Sequence, residues 1–141
     1  TFKTGGPADW FVEPRSSEEL LAVLQAARAC SLPVVLLGGG SNVLVADAGV
    51  RGVVVHPRGG TIVRLDEGHV RADAAVSING LVRWTLTHGL AGLEAWAGTP
   101  GTVGGAVYGN AHFGGRLISE LLSGVRLVGT DLVPRDVPVS E

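Results

Sequence analysis

Lysine is nearly missing from this chain: of eleven Lys and Arg residues, only Lys3 is a lysine. That excludes a P-loop, which needs a lysine after its last glycine to reach the phosphates. Cysteine occurs once, at Cys30, so an internal disulfide is impossible, and the usage fits a reducing compartment. Positive charge is not in excess either. The formal net charge is −2 and the arginines are scattered, which removes the electrostatic case for nucleic acid or an anionic membrane as partner. No apolar run approaches the about 18 residues a bilayer span needs, and the start carries no signal-peptide pattern. A cytoplasmic location without a membrane partner is the expectation. His56, His69 and His88 lack cysteine or histidine partners at ligand spacing, so no metal site is expected.

What remains is a hydrophobic chain of 141 residues, 45% apolar and 17% charged, with 22 glycines. Such a composition argues for a folded core rather than disorder. The chain begins at Thr1 and stops at Glu141 just after an apparent strand, and is expected to be a piece of something longer. Residues 9–13 (DWFVE) have strand content and are closed by Pro14. Ser16 and Glu19 fit a capping box, in which each side chain satisfies a free backbone N–H of the first turn, ahead of a helix to about Cys30. Residues 34–38 (VVLLG) suit a buried strand, and residues 42–45 and 52–56 read as two more. A lobe boundary is expected at Pro57–Gly60, giving lobes of residues 1–57 and 58–141. Beyond it, residues 62–65 and 69–73 flank Asp66-Glu67-Gly68 as a hairpin. Ser77 can cap a helix to about His88, with Leu81, Trp84 and Leu86 among its apolar positions and Gly89 ending it. Residues 121–128 have strand character.

Two glycine-rich segments interrupt this pattern. The first, LLGGGSNVLV (residues 36–45), places Gly38, Gly39 and Gly40 at the carboxyl end of a strand, where ligands of open α/β arrangements gather. Glycines there let backbone N–H groups meet an anion such as pyrophosphate with no Cβ in the way, and Ser41 and Asn42 add side-chain donors. A tight packing turn explains the same glycines. A Rossmann fingerprint does not fit, since position 43 is Val43 and a strand, not a helix, is read next. The second segment holds seven glycines in residues 98–115. There Pro100-Gly101 marks a turn, Thr102 can cap a short helix with an anion-favouring N-terminus, and Gly104 and Gly105 permit close approach by a flat ring or another backbone. The pair reads as two sides of a clamp around one extended ligand with phosphates in its middle.

Three motifs, TFKTGGPA (residues 1–8), LGGGSNVLVAD (37–47) and GLEAWAGTPGTVGGAVYGNA (92–111), resemble the UDP-N-acetylenolpyruvoylglucosamine reductase family in order and spacing. The resemblance implies an α+β, two-lobed FAD-binding domain of the para-cresol methylhydroxylase type. It implies that Gly38, Gly39, Gly40, Ser41 and Asn42 hold the FAD pyrophosphate. It further implies that Gly98, Thr99, Pro100, Gly101, Thr102, Val103 and Gly104 line the flavin, with Asn110 close by. The family passes hydride from NADPH to FAD and from FAD to UDP-N-acetylglucosamine enolpyruvate, a step of peptidoglycan precursor synthesis, and the cofactor carries the hard chemistry. The family's arginine-bearing motif, acid serine and partner glutamate lie outside residues 1–141. No catalytic residue is therefore assigned here, and the fragment alone is expected to be inactive.

The chain departs from the family where Thr99 replaces the usual isoleucine and where His112-Phe113-Gly114-Gly115 follows Ala111. Ser41-Asn42 stands where related oxidases carry a tethering histidine, so the FAD is expected to be non-covalent. His112 could be an acid or a tether, Arg116 a phosphate contact or an exposed arginine, and Trp96 is read as packing rather than stacking. A non-catalytic FAD-binding module and a flavin oxidase of the same superfamily are the alternatives.

Overall fold

The computed structural model describes residues 4–139, so residues 1–3 of the first motif lie outside it. The first half contains β1 (Ala8–Val12), α1 (Ser17–Ala29), β2 (Val34–Leu36) and β3 (Val50–Val55). The three strands form one parallel sheet in the order β1-β3-β2. Helix α1 packs on it where Ala27, Val53 and Val55 are buried against Val12, Leu20 and Val23. Ser16 starts that helix as expected, its Oγ accepting from Glu19 N at 3.2 Å. The reciprocal bond differs from a standard capping box: Glu19 Oε2 accepts from Arg15 N at 2.7 Å, one residue further back.

Two strand expectations need correction here. Because β3 takes the central place, its Val53, Val54 and Val55 are the buried strand, and β2 becomes an edge whose Leu36 is 61% exposed. Residues 42–45 form no strand at all. Val43 and Leu44 have strand propensity but no neighbouring strand to pair with, and both are exposed. Propensity for a pleated surface yields to the lack of a partner.

The second half begins with the expected hairpin, β4 (Ile62–Arg64) antiparallel to β5 (Val70–Ala72). Asp66 Oδ1 closes its turn by accepting from Gly68 N and His69 N, each at 2.8 Å. Helix α2 (Ile78–Thr87) follows, capped by Ser77 Oγ accepting from Gly80 N at 3.0 Å. Its buried face is Ile78, Leu81, Val82 and Thr85, whereas Leu86 points outward at 53% exposure. A 3-10 turn (Glu94–Trp96) leads to α3 (Val103–Tyr108), and Ile78, Val82, Trp96, Ala106 and Ile118 make one core cluster. Trp96 is completely buried, in keeping with a packing role. The short hairpin β6 (His112–Phe113) and β7 (Arg116–Leu117) and a 3-10 turn (Ile118–Leu121) precede β8 (Gly124–Val128) and β9 (Pro134–Pro138). Strand β9 has prolines at both ends. They sit at its limits, as an edge strand tolerates.

Helices and separate small sheets therefore mix in an α+β arrangement. No helix among the described residues is long and apolar enough to cross a membrane.

Candidate functional site

The site grows from the way β2 ends. Leu37 N still donates to Val55 O at 2.8 Å, the last rung tying this strand to β3. From there Gly38 to Asn42 leave the sheet, Gly40 in the left-handed region at φ 65°. Among the described residues, none of the five backbone N–H groups of Gly38–Asn42 donates to a protein acceptor. Unpaired backbone donors in succession are what an anion-binding loop presents.

The second glycine-rich segment comes from the other half of the chain and is firmly tied down. Gly98 N donates to Asn79 Oδ1 on α2 at 2.7 Å. An isolated bridge between Ser77 and Thr102 then fixes the loop, with Ile78 N donating to Gly101 O at 3.1 Å and Val103 N to Val76 O at 2.8 Å. Gly104 N donates to Ala74 O at 2.9 Å. Thr102 caps α3, its Oγ1 accepting from Gly105 N at 3.3 Å. The N–H groups of Gly101 and Thr102 have no protein acceptor among the described residues.

The two segments touch, backbone to backbone. A Cβ on Gly39 would lie 2.8 Å from Gly101 Cα, and one on Gly38 would lie 2.8 Å from Thr102 Oγ1. A Cβ on Gly101 would meet Ser41 Oγ at 2.9 Å, and Gly101 also sits at φ 108°, where a side chain is strained. The bareness of Gly38 and Gly39 is thus required first by the opposite segment. The packing-turn explanation accounts for Gly38 and Gly39, and unpaired amides stand beside that contact among the described residues.

A cavity of about 390 Å³ opens where the segments meet, with Gly39, Gly101, Thr102, Ser77, His56 and Arg58 in its lining. That volume lies within the range of small-molecule pockets. The free amides of both segments fit a nucleotide phosphate. The cavity also falls at the boundary that the sequence places after Pro57.

Not every expected residue meets here. Gly104 turns its bare side to Ala74, whose Cβ would be 2.7 Å from an added one, so it serves the packing of α3 on the turn before α2. Val103 packs on the core cluster. Thr99 Oγ1 and Trp96 Nε1 are buried with no hydrogen-bond partner among the described residues. Asn110 adopts a left-handed φ of 40°, and its Oδ1 accepts from Ser119 N at 3.3 Å, holding the chain after α3. Pro100 and Asn42 are exposed. His112 is exposed on β6, and Arg116 lies 3.5 Å from Glu120 Oε2. Glu120 is held below the usual carboxylate range first by the Leu117 N–H and then by Arg116. Sequence reasoning missed Asn79, Ser77's bridge to Thr102, and the pair His56 and Arg58. For the last two, the only signal was their place beside the lobe boundary. No group of three His, Cys, Asp or Glu side chains that could hold a metal comes together among the described residues.

A small α+β body whose two halves meet through bare backbone around unpaired amides defines a dinucleotide-binding domain. The chain belongs to the FAD binding domain family, whose profile matches residues 8–131. Within it, the chain is similar to UDP-N-acetylenolpyruvoylglucosamine reductases. That of Synechococcus sp. (strain JA-3-3Ab) is 42% identical over 135 residues, covering 95% of this chain and 43% of the relative. That of Moorella thermoacetica is 44% identical over 131 residues, covering 93% and 43%. The crystal structure of the Thermus caldophilus reductase superposes with a TM-score of 0.76 at 33% identity, covering 96% of this chain and 47% of that one. The chain thus spans less than half the length of these relatives.

Proposed function

We propose that this chain is the FAD-binding portion of a reductase that uses NADPH to convert UDP-N-acetylglucosamine enolpyruvate to UDP-N-acetylmuramate in the cytoplasm, for peptidoglycan synthesis. The observation that carries the proposal is the contact of residues 38–41 with Gly101 and Thr102, beside seven backbone N–H groups that have no protein acceptor among the described residues. The finer fold belongs with it: a para-cresol methylhydroxylase type domain with lobes at residues 1–57 and 58–141.

Bound FAD would supply the hydride chemistry. The chain's own residues bind and orient it. Gly38, Gly39, Gly40, Ser41 and Asn42, with Gly101 and Thr102, would hold the diphosphate through N–H donors, since anions are favoured where backbone amides converge. Gly98, Thr99, Pro100, Val103 and Gly104 would form the wall behind the flavin. Asn79 fixes that wall through Gly98, and Asn110 sets the path of the chain behind it. No residue here is assigned to hydride or proton transfer.

The absorption spectrum of the purified protein tests the cofactor. A flavin spectrum that heat or acid releases into solution supports non-covalent FAD, and a flavin retained through acid favours an oxidase. A protein that stays colourless after reconstitution with FAD overturns the proposal. In the full-length protein, oxidation of NADPH that depends on the enolpyruvyl sugar nucleotide separates a reductase from a binding module.

A further inference from the structure

The glycine motifs leave part of the cavity lining unexplained. His56 and Arg58 line it, although neither belongs to a glycine-rich segment. Their backbones are fixed by a continuation of the β1–β3 ladder, His56 N donating to Val12 O at 2.8 Å and Arg58 N to Pro14 O at 2.9 Å. Glu13 lies between those acceptors. Its Oε1 is 3.3 Å from His56 Nδ1 and 3.5 Å from Arg58 Nε. One carboxylate oxygen thus engages the side chains of two residues that line the cavity.

The geometry leaves Arg58 half engaged. Glu13 faces the side nitrogen of the guanidinium, and the two terminal nitrogens have no protein acceptor among the described residues. A guanidinium presents its donors in a planar fork that matches two oxygens of one phosphate. Beside it stand the unpaired amides of Gly39, Gly101 and Thr102. Backbone dipoles on part of the lining and a fixed positive charge elsewhere suit the same anion. Edge-on contact with Phe11, ring centroids 5.7 Å apart, helps fix the imidazole of His56.

Resting on the flavin-cofactor reading above, we propose that Arg58 contacts a phosphate of the bound dinucleotide and that Glu13 is the positioning residue that holds Arg58 and His56 at the cavity. Both partners of the Glu13–Arg58 pair are about half exposed, at 46% and 56%. Exposed pairs of this kind contribute little to folding. Binding and stability can therefore be separated.

The test is FAD affinity, by flavin fluorescence titration at low and high salt, together with the apoprotein unfolding midpoint, in the full-length protein. Arg58→Gln weakens FAD about tenfold, the scale of one charge-assisted hydrogen bond, and flattens the salt dependence. Arg58→Lys recovers part of the loss as a point charge without the fork. Glu13→Gln weakens binding by a smaller factor, and the apoprotein midpoints of all three variants stay at the wild-type value. Wild-type affinity and salt slope in Arg58→Gln would overturn the proposal, as would a fall in midpoint with an unchanged slope. A wild-type protein that does not bind FAD overturns the cofactor reading itself.

Discussion

Residues 38–42 hang from the end of β2 with no N–H donated to any described residue, whereas residues 98–105 are tied to Asn79, Ile78, Val76 and Ala74. Both are rich in glycine, and composition alone would give them the same role. One is a loop whose amides are unpaired among the described residues, and the other is the braced wall it leans on. Glycine serves close backbone approach in both, at Gly39 against Gly101 and at Gly104 against Ala74. Among the described residues the first leaves five successive donors unpaired, the second only those of Gly101 and Thr102. A glycine-rich stretch is thus better classified by where its backbone hydrogen bonds go than by its count of glycines.

The largest effect should come from breaking the contact between the two. Gly39→Val places a Cβ 2.8 Å from Gly101 Cα and adds two methyl groups there. FAD affinity should fall by roughly a hundredfold or more, since overpacking moves backbones and costs about 1–3 kcal/mol even before donors are misplaced. Fluorescence titration reads it, and affinity retained within a few fold would mean the segments need not touch. A smaller change separates bracing from binding. Gly104→Ala, with its Cβ 2.7 Å from Ala74 Cβ, should destabilise the fold by about 1–3 kcal/mol in denaturant unfolding. At temperatures where the variant is folded, it should lower FAD affinity far less than Gly39→Val does. An affinity loss as large as that of Gly39→Val would erase the distinction.

The smallest expected effect lies outside both segments, as a control. Asp131 is held below the usual carboxylate range by its hydrogen bonds to Arg135 and Val133 N, and Asp136 by Arg126. A carboxylate depressed in the folded state stabilises above its unfolded pKa, and that contribution fades as pH falls through the folded value. The β8–β9 hairpin should therefore loosen below about pH 4, seen as faster amide exchange in residues 124–138. The amides of α2 should hold. Uniform loosening would show that the hairpin is no separate unit.

Much of this could be read in the chain because local signals agreed with tertiary needs. Ser16, Ser77 and Thr102 each cap the helix their side chains announce, and Asp66-Glu67-Gly68 turns the expected hairpin. The misreadings share another origin. Val34–Leu36 and Val43–Leu44 have the same apolar, β-branched character as Val53–Val55, and sheet order alone decides which is central, edge or unpaired. The meeting of the two glycine segments was legible, but the reason for Gly39 was not. Its neighbour is Gly101, far along the chain, and no local pattern carries that distance. Glu13 and Arg58 were invisible for the same cause.

The contact between Gly39 and Gly101 also bears on the order of events when the protein folds or is heated. It joins distant parts of the chain, and closing such a span is entropically slow. The cradle should assemble late, after α1 and α2 have found their cores, and open early on warming. A cofactor that grips both sides then acts as a removable staple, raising the melting temperature with its concentration as mass action requires. Synthesis under flavin shortage would leave the two halves folded but unlatched.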